Sequence, residues 1–219
     1  MKKSLSKTLV LKHTIALYTY LLIVWGFYRL LLFQFPEVLD ILVIKPVIWL
    51  IPTFYLVKKE KLHLKSLGIT TKNLLPSLYL VLILGTIFAF EGFLINYLKH
   101  GNINFAANLG QTAFSLSFLL SFATAFSEEV TFRGYLFNRV WQSLENEWLS
   151  NLITSIGWTF IHFPIALFDW KLAGPELATY LFLVFFFSVG SSFVFARTKN
   201  IFSSVLLHVL WQWPIILFR

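Results

Sequence analysis

An all-α fold is predicted, a polytopic transmembrane bundle of about seven helices enclosing a polar cavity. Three observations predict it. Hydrophobic residues make up 58% of the 219 residues and charged residues only 13%, and the mean hydropathy is +0.74, far from the balance of a water-soluble domain. Apolar runs recur along the whole chain at the length a membrane helix requires, about 20 residues for roughly 30 Å of hydrocarbon. The basic residues fall mainly between these runs, as they do in membrane proteins.

In chain order the runs place helices near 14–33, 41–57, 75–97, 111–143, 149–168, 176–196 and 201–218. The first follows a basic segment (Lys2, Lys3, Lys7, Lys12) and has no small-residue cleavage site, so it reads as an uncleaved span. The second is the weakest of the seven. The fourth is too long to be purely transmembrane, and its second half carries Glu128, Glu129, Arg133 and Arg139, so it is expected to emerge into an interface. No internal repeat or low-complexity tract interrupts the pattern. The chain reads as a single membrane domain, 1–219, with N-terminal spans and a basic loop in 1–74 and a core carrying the chemistry in 75–219.

Charge and composition narrow the function classes. With no cysteine, disulfide frameworks, thiolate zinc sites and cysteine nucleophiles are excluded. The net charge of +8 does not form one dense patch, which argues against a nucleic-acid partner and for membrane orientation. With a cytoplasmic N-terminus, thirteen of the 18 basic residues lie inside: Lys2, Lys3, Lys7, Lys12, Lys58, Lys59, Lys61, Lys65, Lys72, Arg133, Arg139, Arg197 and Lys199. Arg29, Lys45, Lys99, Lys171 and Arg219 are scattered in spans or outer loops. The positive-inside bias therefore predicts an N-in, C-out protein. The lipid bilayer is its first partner, and a multi-pass bacterial plasma-membrane protein is expected.

Ionisable groups at membrane depth are expensive, and each one is a functional hypothesis. Glu91, Glu128, Glu129, His162 and His208 are of this kind. Glu128 and Glu129 are adjacent on a helix and point about 100° apart, so they serve different purposes. Arg133 follows Glu129 by one helical turn, in the favourable acid-before-base order, and is expected to neutralise it. Glu129 and Arg133 then read as supporting residues. Glu128 has no local partner in the sequence, and a carboxylate in a poorly solvated cavity is the better candidate for a general base.

His162 lies in SIGWTFIHFP and His208 in SSVLLHVLWQW, with Gln212 on the same helix face one turn after His208. From the inner ends of their helices, His208 lies about 10 Å deep and His162 about 20 Å. Glu128, placed toward the inner end of the fourth span, is expected to meet both in one cavity reached from the cytoplasmic side. His208 and Gln212 together are able to donate two hydrogen bonds to one oxygen. Glu91 is expected to pair with another helix or to line the cavity rim, and Trp158, Trp211 and Trp213 read as packing or interfacial residues.

The string Glu128-Glu129-x-x-x-Arg133, continued as EEVTFRGYLFNRV, followed by His162 and by His208-x-x-x-Gln212, resembles the CAAX-protease and bacteriocin-processing (Abi) family of intramembrane peptidases. The likeness covers roughly residues 75–219. It implies that Glu128 and His162 activate a water while His208 and Gln212 stabilise the oxyanion. Two positions depart from the family pattern: Trp158 stands where FxxxH has Phe, and Gln212 stands where HxxxN has the shorter Asn.

The resulting expectation is hydrolysis of a peptide bond, without covalent intermediate, in a peptide or membrane-protein tail. Processing of peptide pheromones or bacteriocins, or self-immunity against them, falls within it. Glu128 with the two histidines is a plausible zinc set, but HExxH is absent and the resemblance implies a glutamate mechanism, so no cofactor and no metal are expected. The alternative is a non-catalytic immunity or scaffold protein that uses the same polar cluster for binding. A proton-relaying transporter predicts inverted repeats and broken helices, which the sequence does not display.

Overall fold

In the computed structural model, residues 6–32, 35–102 and 114–217 are described. Among them the fold is entirely helical. Lys2, Lys3, residue 33 of the first expected span, residues 111–113 of the fourth, residue 218 of the last and Arg219 lie outside the described residues, as do the side chains of Lys99 and Trp213.

The helices are α1 (Lys7–Phe27), α2 (Glu37–Leu39), α3 (Lys45–Lys59), α4 (Leu74–His100), α5 (Phe114–Glu129), α6 (Asn138–Leu144), α7 (Glu147–Pro164), α8 (Gly174–Thr198) and α9 (Ile201–Leu217). Wider π-helical turns extend or join several of them: Tyr28–Leu32 after α1, Asp40–Ile44 before α3, Val130–Phe137 between α5 and α6, and Ile165–Asp169 after α7. Counting these continuous rods recovers the seven expected from the sequence.

Five rods are long and apolar enough to cross a membrane: Lys7–Leu31, Glu37–Lys59, Leu74–Leu98, Glu147–Asp169 and Gly174–Thr198. The outward surface explains why water is not their solvent. Leu75, Phe90 and Leu98 of α4 are 77%, 71% and 69% exposed, and Phe182 of α8 is 63% exposed. In water such a surface carries a large cost per unit area, and in lipid it carries none.

The fourth rod corrects an expectation. Its charged half is not a solvent-facing stretch. Every residue of Val130–Phe137 is buried, and Arg139 is fully buried as well. The other helices wrap this rod, so its charges are matched inside the bundle. Tyr135 donates to Glu60 Oε1 at 2.5 Å and Arg139 Nε donates to Glu60 Oε2 at 2.9 Å. His13 Nδ1 lies 3.1 Å from Glu60 Oε1, which ties α1, the end of α3 and α6 at one end of the bundle. At the other end, Arg29 donates to Asp40 at 2.9 Å and Tyr28 donates to it at 2.5 Å. Burial of ions is tolerable only with such compensation, because each uncompensated charge costs several kcal/mol.

The connection 60–73 seats the start of α9. Gly68 has φ +78°, and a Cβ there would lie 2.7 Å from Phe195 and 3.1 Å from the Ile201 nitrogen. Only glycine gives both that backbone conformation and that approach. The Gly68 carbonyl accepts from Ile201 N–H at 2.9 Å. Asn200 donates to the carbonyls of Thr70 and Lys72 at 2.9 and 2.7 Å, while its Oδ1 caps α9 by accepting from Phe202 N–H at 2.9 Å. The α6–α7 turn lies at this same end, where Lys7 pairs with Glu145 and Arg197 with Glu147.

The interior is aromatic. Trp25, Trp49, Phe132 and Trp158 form a chain of ring contacts with centroids 5.7, 5.7 and 4.7 Å apart in sequence Trp25–Trp49, Trp49–Phe132 and Phe132–Trp158. Trp211 stacks on Phe187 at 4.3 Å. Trp158 and Trp211 are therefore core residues, 0% and 7% exposed, and not members of an interfacial belt.

Candidate active site

Glu128 and Glu129 are the last two residues of α5, and the π-helical run begins at Val130. Single π-helical insertions in membrane and soluble helices recur at functional positions. Both carboxylates are buried, at 5% and 0% exposure. Both reach His208 of α9, while Glu128 also turns to α3 and Glu129 to α8.

Glu129 is a hub. Arg133 NH1 donates to its Oε1 at 2.9 Å across one turn, the pair that the spacing predicts. Ser191 of α8 donates to Oε2 at 2.7 Å. His208 Nδ1 approaches Oε1 at 2.8 Å. Since a carboxylate only accepts, Nδ1 carries a proton in this contact. Arg133 in turn donates to the Ser188 carbonyl at 3.2 Å and lies 4.4 Å from the Trp158 ring centroid. Glu129 thus does more than neutralise Arg133, because it fixes the orientation of the His208 ring.

Glu128 is not without a partner. Its Oε1 forms a close ion pair with the ammonium of Lys45, at the first position of α3. The sequence reading missed this residue. A lysine inside the apolar run LDILVIKPVIWL was itself a signal, since an ammonium at membrane depth calls for a counter-charge. The other oxygen, Oε2, lies 3.8 Å from His208 Nε2. That separation is too long for a hydrogen bond, and the two groups meet as an ion-pair contact when the ring is protonated. Two carboxylates and two permanent cations, Lys45 and Arg133, balance the charge of the cluster.

His162 lies near the end of α7. Its Nδ1 is 2.8 Å from the Trp158 carbonyl, an acceptor, so Nδ1 carries the proton and Nε2 keeps its lone pair. The ring packs against Trp158 at 4.7 Å and interacts electrostatically with both Glu128 and His208. His208 is held between aromatic faces, 4.7 Å from Phe187 and 5.9 Å from Trp158. Gln212 follows one turn later on α9, and its side-chain oxygen is buried without a hydrogen-bond partner. Glu91 of α4 interacts with Trp211 of α9, and its Oε2 is buried without a hydrogen-bond partner.

Glu128 lies sixteen residues before Leu144, the end of the fourth rod. The polar interior expected of the bundle is present, and its groups touch one another directly. Two surface recesses, one beside Arg29 and Asp169 and one beside Phe54 and Lys58, are lined by other residues. Among the described residues, no three His, Asp or Glu side chains converge as a metal-binding set.

Residues 110–214 match the Rce1-like type II CAAX prenyl endopeptidase family. The match bears out the resemblance read from the motifs, and it contains Glu128, Glu129, Arg133, His162, His208 and Gln212. No curated protein matches the chain. The segment 110–214 is thus similar to a CAAX prenyl endopeptidase, and it lies in a helical bundle with five described helices long and apolar enough to cross a membrane. Lys45 and the helices before α5 lie outside the matched segment.

Proposed function

We propose that the protein is an intramembrane glutamic endopeptidase. The observation that carries this reading is the buried Glu128 carboxylate, whose Oε1 is paired with Lys45 while Oε2 faces His208 Nε2 at 3.8 Å. Glu128 accepts a proton from a water as the water oxygen attacks the scissile carbonyl carbon. His162, with Nδ1 committed to the Trp158 carbonyl, offers the Nε2 lone pair that aligns the same water. The carbonyl π electrons move onto oxygen, which takes hydrogen bonds from the Gln212 amide and from His208. Because Nδ1 of His208 already donates to Glu129, Nε2 donates to that oxygen only from the doubly protonated ring, whose added charge the developing oxyanion offsets. The proton on Glu128 then passes to the departing amine nitrogen as the C–N bond breaks.

The bundle contributes by excluding bulk water, which strengthens each of these electrostatic contacts. A cytoplasmic N-terminus, a bacterial plasma membrane and a peptide or membrane-protein tail as substrate complete the reading, with pheromone or bacteriocin processing as the class of event. No metal is assigned a role, because Lys45 and Arg133 already supply the cations facing the two glutamates. The roles of Glu129 and Arg133 are supporting ones, acting through His208.

Incubating the purified protein in detergent with a synthetic peptide library, and reading cleavage by mass spectrometry, tests the reading. Wild type is expected to cleave in the presence of strong chelators, and Glu128→Gln to lose about 10²–10⁴-fold in rate. A Glu128→Gln protein that cleaves as fast as wild type, or wild-type activity restored only by zinc after chelation, overturns the mechanism.

A further inference from the structure

Lys45 lies outside the matched endopeptidase segment, yet it makes the closest contact to the residue on which the mechanism turns. Its side chain is 7% exposed, as is that of Glu128, so the pair is sealed from solvent. The ammonium sits 5.5 and 5.8 Å from the ring centroids of Trp25 and Trp49. These faces hold a cation in place without competing for Glu128 as acceptors. The segment before Lys45 is itself anchored, since Asp40 accepts from Tyr28 and Arg29 at 2.5 and 2.9 Å. Lys45 therefore reaches Glu128 from a fixed backbone, with its ammonium flanked by two aromatic rings.

The consequence lies in how the two oxygens of Glu128 are divided. Lys45 takes Oε1, and only Oε2 is left facing His208 Nε2. We propose that Lys45 is a positioning residue of the peptidase site, which pins Glu128 so that Oε2 alone is presented to the hydrolytic water. This rests on Glu128 being the base. It extends the site to the N-terminal helices, so that α1 and α3 are part of the reaction's geometry and not only of the wall. Without the ammonium, the carboxylate is free to turn about its terminal torsion, and Oε2 loses its fixed place beside His208.

The test compares wild type with Lys45→Arg, Lys45→Met and Glu128→Gln in the full chain, using as probe a peptide that wild type cleaves in the library experiment. Lys45→Met is expected to lower kcat about 100-fold, the scale set by small misplacements of a reacting group, with KM within a factor of two. Lys45→Arg, which keeps the cation, is expected to recover most of that loss. Should Lys45→Met fail to fold, as judged by its thermal transition in detergent, Lys45→Gln carries the same expectation. A neutral variant with wild-type kcat, while Glu128→Gln is inactive, overturns the role of Lys45 and leaves the role of Glu128 standing. A rise in KM with kcat unchanged also overturns it, since that marks a substrate-binding residue. If wild type cleaves nothing, or Glu128→Gln cleaves normally, the reading of Glu128 falls and this proposal with it.

Discussion

Replacing Arg133 by methionine isolates the energetic core of the site. Arg133 and Glu129 are 1% and 0% exposed, so solvent screening does not dilute their interaction. The substitution removes the 2.9 Å contact to Glu129, leaves the Ser188 carbonyl without the donor now 3.2 Å away, and removes the cation from the Trp158 face. Glu129 keeps Ser191 and His208 but loses its only permanent counter-charge in the cluster. Breaking one partner of a buried pair costs about 3–5 kcal/mol. For a chain of this size that corresponds to a fall of roughly 6–20 °C in the unfolding midpoint.

The assay is thermal unfolding in a fixed detergent, for Arg133→Met, Glu129→Gln and the double variant. The double variant is expected to regain most of the stability, because two neutral side chains in a dry interior leave no stranded charge. It is also expected to be inactive, since His208 loses the carboxylate that orients it. A single Arg133→Met variant with an unshifted midpoint refutes the account of how the charges are accommodated. So does a double variant whose loss equals the sum of the two single losses.

Two further predictions follow from positions already described. Gly68→Ala forces a side chain into a φ of +78° and against Phe195, and is expected to destabilise the fold by about 1–3 kcal/mol in the same assay; an unchanged midpoint contradicts the close approach. Gln212→Asn is expected to raise the cleavage rate, and Gln212→Ala to lower it by up to about 10²–10³-fold. Equal rates for all three proteins would remove Gln212 from the oxyanion role.

What the sequence made legible divides along a physical line. The rods were legible because hydrocarbon imposes a minimum apolar length, and Arg133 was legible as the partner of Glu129 because one helical turn joins them. Lys45, Ser191 and the network around Glu60 were not, since they meet their partners across different helices. The buried state of Val130–Phe137 was hidden for a related reason. In a membrane bundle both the lipid face and the interior are apolar, so hydrophobic patterning does not say which helix the others surround. A string of charges in such a rod marks its exit from the bilayer or its place at the centre, and here it marks the centre.

The seat of α9 has a consequence for the site. From the Asn200 cap to His208 the helix is an unbroken rod of two turns, and the cap is held by the backbone of Thr70 and Lys72 and by Gly68. Segment 60–73 thus works as a depth stop, and the imidazole stands at a height measured from the loop. Loops ordinarily absorb added or deleted residues with little effect. This one has no such licence, because a shift of its backbone is delivered rigidly along the helix axis to the histidine between the two glutamates.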